Sequence, residues 1–242
     1  LETSGAVPGD IKVSIVPFDT EVNVGKSNKN ASWLKWSYEA LTTVWFWQTI
    51  STVNVSKNSW KGCVVDRDQN YDVQNTIPTS SDSTKYPGAS GNCNIPEILA
   101  LTDNWGNLHD KIDELDPNGN TNTTIGLAWG WNMLTQGHPL SQATAPADDL
   151  DKVIVFLTDG DNTENRWTTS GNSIDTRTGS VCSNIKAAGI KIYTIRTING
   201  NANLLRNCAT KPEMYFDVTQ TSQLTEVFTS IAMALSNLRI SQ

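Results

Sequence analysis

Apolar and polar positions along the chain fall into two regimes. In the second half they are regular. Val153–Leu157 is an unbroken run of five apolar residues closed by Thr158, and it predicts a buried strand. "IKIYTIR" (190–196) and "EMYFDV" (213–218) predict two more strands. Helical spacing is read over 179–188, closed by Gly189, over 201–209, and over 221–238. In the last helix Leu224, Phe228, Ile231, Leu235 and Leu238 share one face. Strands and helices alternate at short intervals, which predicts a three-layer α/β fold with a doubly wound, mostly parallel sheet.

The first half is less regular. "DIKVSIVPF" (10–18) predicts a strand, and "DTEVNVG" (19–25) a turn and a short second strand. Residues 33–50, "WLKWSYEALTTVWFWQTI", fit a helix or an aromatic-rich strand, and periodicity does not decide. From 56 to 97 the chain is rich in Ser, Asn, Asp, Gly and Pro. So long an irregular stretch reads as an insertion carrying its own constraint. A helix follows over 105–115, ending at Asp116-Pro117, then a polar loop and a helix within 118–134. The whole chain, 1–242, is expected to be one domain with an insertion at about 33–104.

Composition narrows the function classes. The net charge is −7 with no basic stripe, which argues against nucleic-acid binding. No apolar run reaches 18 residues, so no membrane span is expected. A chain starting at Leu1 reads as a fragment or processed product, with any leader or membrane anchor upstream. Cys63, Cys93, Cys182 and Cys208 form no CxxC pair and no zinc spacing. Their even number predicts two disulfides and an oxidising compartment. Three pairings are possible; the local one, 63–93 with 182–208, is expected.

The chemistry starts at "TDGDNT" (158–163). Ligands gather at the carboxyl ends of strands in open parallel sheets. Asp159 stands at such an end. Thr121, in "GNTNTTIGL", precedes a helix. Its hydroxyl either caps that helix or faces the same crevice. Carboxylate and hydroxyl oxygens suit Mg²⁺ or Ca²⁺, while Asp-Gly is also a common turn pair. The aspartates of "DRDQNYD" (66–72) and "DDLD" (148–151) read as turns more readily than as calcium loops. No G-x-S-x-G elbow occurs, and His109 and His138 are far from any evident nucleophile. Trp33, Trp36, Trp45 and Trp47 lie within fifteen residues, a density that suggests an exposed partner-binding surface. Asn30, Asn54 and Asn122 head Asn-x-Ser/Thr triplets.

"VIVFLTDGDNT" and "GNTNTTIGLAWGW" resemble a von Willebrand factor A domain. More narrowly, the chain resembles the C-terminal domain of TadG-like proteins of the tight-adherence (Tad) pilus system. The narrower likeness rests on "IKVSIVPFDTEVNVG", "WKGCVVDRDQNYDV", "TTIGLAWGWNML", "SNIKAAGIKIYTI", "LLRNCATKPEMYFDV" and "IAMALSNLRIS". A-domains hold a divalent metal through an Asp-x-Ser-x-Ser run after the first strand, a Thr and an Asp. The resemblance assigns the Thr to Thr121 and the Asp to Asp159. The Asp-x-Ser-x-Ser run is missing, and "LETSGA" (1–6) only echoes it. The family's first strand and first helix are therefore expected to be absent, leaving the neighbouring strands facing each other across a gap. The resemblance implies a bacterial, extracytoplasmic, non-enzymatic adhesion or assembly module with a pilus or cell-envelope protein as partner, and unmodified asparagines. The alternatives are a metal-dependent enzyme or enzyme subunit on the same fold, and a structural domain whose metal site has decayed.

Overall fold

The run 153–158 forms a strand because its alternate residues meet apolar layers on one side. Ile154 and Phe156 are buried, whereas Val155 and Leu157 remain 38% and 39% exposed. The computed structural model describes residues 2, 9–44 and 46–238. In chain order the strands are β1 (Val13–Ile15), β2 (Val22–Asn23), β3 (Leu34–Lys35), β4 (Ser37–Val44), β5 (Trp47–Asn54), β6 (Cys63–Val64), β7 (Tyr86–Pro87), β8 (Leu99–Thr102), β9 (Val153–Thr158), β10 (Lys191–Thr197) and β11 (Tyr215–Val218). The helices are α1 (Trp105–Asp113) and α2 (Thr123–Met133) before β9, α3 (Gly171–Ala187) and α4 (Ala202–Cys208) on either side of β10, and α5 (Leu224–Leu238) at the end.

β9, β10 and β11 form a parallel sheet in the order β11-β10-β9. Ile192 of β10 joins Ile154, Phe156, Leu127, Val181, Ile185 and Leu205 in one core against α2, α3 and α4. Tyr193 and Ile195 face the other way, towards Met214, Val218 and Ile231 of α5. Helices thus cover both faces, the three-layer arrangement expected from the alternating pattern.

β1 pairs with β8 in a separate antiparallel ladder. Among the described residues no strand joins β1 to β9. Side chains connect the two sheets instead. α2 packs on both β1 and β9, and the Phe18 ring stacks on Phe156 at 5.9 Å between centroids. Gly126 makes this possible: a Cβ there would stand 2.6 Å from the Phe18 ring.

The segment between β1 and β8 has its own core. Val22, Val24, Leu34, Trp60, Val64 and Tyr86 pack against Ile125, Trp129 and Met133 of α2. Its strands are mostly two residues long, which is why no periodicity marked them. Residues 33–50 resolve into β3, β4 and half of β5, a strand reading rather than a helical one. β8, inside the segment 33–104, returns to pair with β1.

Two expectations need correction. α3 starts at Gly171, eight residues before the expected helix. Its first turns carry Ser, Thr and Asp, and they are held by buried hydroxyls rather than by an apolar stripe. Phe228 is 45% exposed instead of buried with Ile231 on the inner face of α5. The side chain of Leu238 lies outside the described residues. No described helix is long and apolar enough to cross a membrane.

Candidate functional site

β9 ends at Thr158, and Asp159 emerges exposed at the carboxyl end of the parallel sheet. Thr121 reaches the same lip from the loop before α2. Two reciprocal hydrogen bonds bring them together: Thr121 N donates to Thr163 Oγ1 at 2.8 Å, and Thr163 N donates to the Thr121 carbonyl at 2.9 Å. A Cβ on Gly160 would lie 3.4 Å from Thr121 Oγ1. The structure thus places Thr121 against the Asp159-Gly160 turn. The helix cap that competed for Thr121 is provided by Asn122, whose side chain accepts from Thr124 N at 3.2 Å.

Asn162 ties this lip down. It is 6% exposed. Its Oδ1 accepts from Thr123 N at 2.8 Å and from Thr123 Oγ1 at 2.9 Å, so it binds the β9 loop to the start of α2. Its Nδ2 donates to Asp175 Oδ1 at 2.7 Å. The other oxygen of Asp175 accepts from Asn201 at 2.7 Å, bringing in the loop after β10. Below, the Thr178 hydroxyl lies 2.8 Å from Thr123 Oγ1 and 2.9 Å from Thr124 Oγ1. A buried network so fully paired is rigid. The oxygen-rich "DGDNT" run is visible in the sequence, whereas the roles of Asn162 and Asp175 appear only in the fold.

Beside the lip, between the ends of β9 and β10, lies a cleft of about 570 Å³. Asp161, Asn162, Ser170, Asp175, Arg196 and Asn201 line it. Arg196 is held by the Gly200 carbonyl at 2.5 Å and by Asp217 at 2.8 Å. The walls are polar and of mixed charge, suited to a hydrated or charged partner group rather than a greasy one.

Asp19, which is none of the candidate ligands named above, also reaches this end of the molecule. Its carbonyl accepts from Asn122 N at 2.9 Å, and burial raises its carboxyl above the usual range. Burial, aided by the Asp19 charge, pushes Glu21 up to about 7. Asp66 is fully buried beneath the lip and pushed up to about 6 by desolvation, even though Asn122 donates to it at 2.9 Å. The other aspartates of "DRDQNYD" are taken by cations. Asp68 binds Lys35 at 2.7 Å and Arg166 at 2.8 Å, and Asp72 pairs with Arg177. This loop is a salt-bridged support and not a calcium loop.

The remaining sequence candidates are distributed as follows. The disulfides join Cys63 to Cys93 and Cys182 to Cys208. Trp33 and Trp36 are partly buried against the core of the 33–104 segment. Trp33 meets Trp129 edge-on at 6.2 Å, and Trp36 meets Trp60 at 5.3 Å. Trp47 is 80% exposed. Trp45 lies outside the described residues. His138 is buried, which lowers it to about 4, with Nε2 3.3 Å from the Asn75 carbonyl. His109 is exposed beside Glu2.

A divalent ion needs about six oxygens. Thr121 and Asp159 offer two on one lip. Among the described residues no group of three His, Cys, Asp or Glu converges on a metal position. The pair fits two places of an open, largely hydrated shell and does not by itself close a site.

Among solved structures, proximal thread matrix protein 1 from the mussel byssus (crystal form 2) matches at 19% identity and TM-score 0.42, over 57% of this chain and 31% of that one. The same mussel protein with a zinc-occupied MIDAS motif matches at 20% identity and TM-score 0.42, again over 57% and 31%. The chain thus spans about a third of that protein's length. A search of curated proteins returned no match. The family model for the von Willebrand factor type A domain matches residues 91–230. That is more than half of the 242 residues, and the chain belongs to the von Willebrand factor type A domain family.

Proposed function

We propose that this chain is a non-enzymatic adhesion or assembly module that engages a protein partner at the carboxyl end of the β9–β10–β11 sheet. The observation that carries the reading is the Thr121–Asp159 lip, clamped by the Asn162 network and standing beside a polar cleft. The chain is read as one domain, 1–242, with the segment 33–104 inserted, acting outside the cytoplasm as part of a bacterial Tad-type pilus or cell-envelope assembly. Two disulfides support an oxidising compartment. Thr121 and Asp159 are proposed as this chain's ligands to Mg²⁺ or Ca²⁺. Such an ion would supply a positive centre for a partner's carboxylate, with water filling the remaining positions.

Thermal melts with Mg²⁺, Mn²⁺ and Ca²⁺ test the metal. An ion at about 100 times its Kd adds about 2.7 kcal/mol to stability. A metal-specific rise that Asp159→Asn and Thr121→Val both remove supports the assignment; identical melts with and without each ion refute it. Binding to purified pilin, measured by calorimetry, tests the partner. Asp159→Asn is expected to weaken it at least about tenfold, the loss expected of a charged contact. Unchanged affinity refutes the lip as the docking point.

A further inference from the structure

β4 and β5 form an antiparallel hairpin in continuous register from Ser37 opposite Asn54 to Val44 opposite Trp47. Its base is bolted to the body. Leu41 N donates to the Arg166 carbonyl at 2.8 Å, Arg166 Nε donates to the Glu39 carbonyl at 2.6 Å, and Val55 N donates to the Trp36 carbonyl at 2.8 Å. Its far end stands free. Trp47, Gln48, Thr49 and Ile50 are all exposed, and successive strand residues point to opposite faces, so solvent reaches both faces. Phe46 is 93% exposed, Trp47 80% and Ile50 47%. From Ala40 to Ser56 the sequence contains no charged residue.

We propose that this tip inserts Phe46 and Trp47 into the interfacial layer of a zwitterionic lipid bilayer. Four properties select lipid over a protein groove. Exposed strands are ordinarily guarded by charge, and here, beyond Glu39 at the base, both strands carry none. Protein interfaces carry a polar, often charged rim around their anchors, and from Ala40 to Asn54 the polar side chains are hydroxyls and amides, none of them charged. The ladder pairs the inward-facing backbone groups of both strands, and at headgroup depth, short of the hydrocarbon core, water still reaches the outward-facing ones. Aromatic side chains such as Trp settle at headgroup depth. From Trp47 to Ile50 the strand rises about 10 Å, which matches the depth of interfacial insertion. The net charge of −7 disfavours anionic surfaces and so selects zwitterionic headgroups. The proposal is independent of the sheet-end lip.

The test is co-flotation of the full chain with phosphatidylcholine vesicles at physiological salt. Wild type is expected to float with the lipid. Phe46→Ser/Trp47→Ser is expected to partition at least about tenfold less, from the apolar surface removed. Both side chains are exposed, so the variant's melt is expected to match wild type. Phe228→Ser/Met233→Ser removes exposed apolar residues on α5 and is expected to float unchanged. Three results overturn the proposal: a wild type that does not float, a tip variant that floats like wild type, and an α5 variant that abolishes flotation. A concentration-dependent dimer, lost in the tip variant and unaccompanied by flotation, overturns it in favour of a second copy as the occupant.

Discussion

Asn162→Ala probes whether the lip is held by the buried network described above. The side chain is 6% exposed and makes four hydrogen bonds, the longest to Thr178 Oγ1 at 3.5 Å. Removing it leaves Thr123 N–H without its acceptor at a residue 2% exposed. An orphaned buried donor costs about 1–3 kcal/mol. The Thr123 hydroxyl keeps Thr178, and Asp175 keeps Asn201, so their losses are smaller. The sum is about 2–4 kcal/mol, or roughly 5–15 °C in Tm for a chain of this size. Asn162→Asp makes a sharper comparison. It keeps the acceptor for Thr123 but sets a second carboxylate where an amide now donates to Asp175 at 2.7 Å. The charge of the introduced carboxylate is disfavoured so close to another, and its folded pKa is raised. Stability is then fully present at low pH and is lost as pH rises through the raised value. Urea unfolding from pH 4 to 8 separates the two variants. Asn162→Ala should show an offset from wild type that is constant with pH, and Asn162→Asp an offset that grows with it. An alanine variant within about 0.5 kcal/mol of wild type, the usual scatter of surface substitutions, refutes the clamp.

Two other predictions concern the frame around the lip. Glu21 has a folded pKa of about 7 against an ordinary 4.5, so its burial penalty is absent at low pH, grows between about pH 4.5 and 7, and is complete above. Glu21→Gln should therefore stabilise the fold at pH 8 by about 2–3 kcal/mol and leave it unchanged at pH 4; a stability gain independent of pH in matched unfolding curves contradicts this. The Cys182–Cys208 bridge spans 26 residues, and the loop-closure model gives it about 3.5 kcal/mol. Cys182→Ala/Cys208→Ala should lower the urea midpoint accordingly and become insensitive to reduction of this bridge. A loss under about 1 kcal/mol counts against that entropic account.

What could be read from the sequence follows from how each element earns its burial. β10 is buried between helices on both faces and β9 packs one face on α2 and α3, so their apolar and β-branched residues were enough to mark the strands. α2 was legible for the same reason. The start of α3 was not, because Thr178 is buried by bonding to Thr123 and Thr124 rather than by an apolar contact. The β4–β5 hairpin defeated periodicity differently. Its tip is wet on both faces, so neither a helical nor a strand alternation could be imposed on it. Of the four tryptophans alike in sequence, the three described separate by neighbour: Trp33 and Trp36 have aromatic partners on other elements, and Trp47 has none among the described ring contacts. At the lip, Thr121 and Asp159 were legible through family resemblance, since each lies in a quoted motif. Their clamp was not. Asn162 and Asp175 are 13 residues apart, Asp175 and Asn201 are 26 apart, and Asp66 and Asn122 are 56 apart. Amide–carboxylate pairs at such separations leave no period in the sequence, and any surface loop supplies the same residue types. The rigidity on which the proposed partner site depends therefore belongs to the folded network, and substitutions within that network distinguish a positioned lip from an ordinary turn.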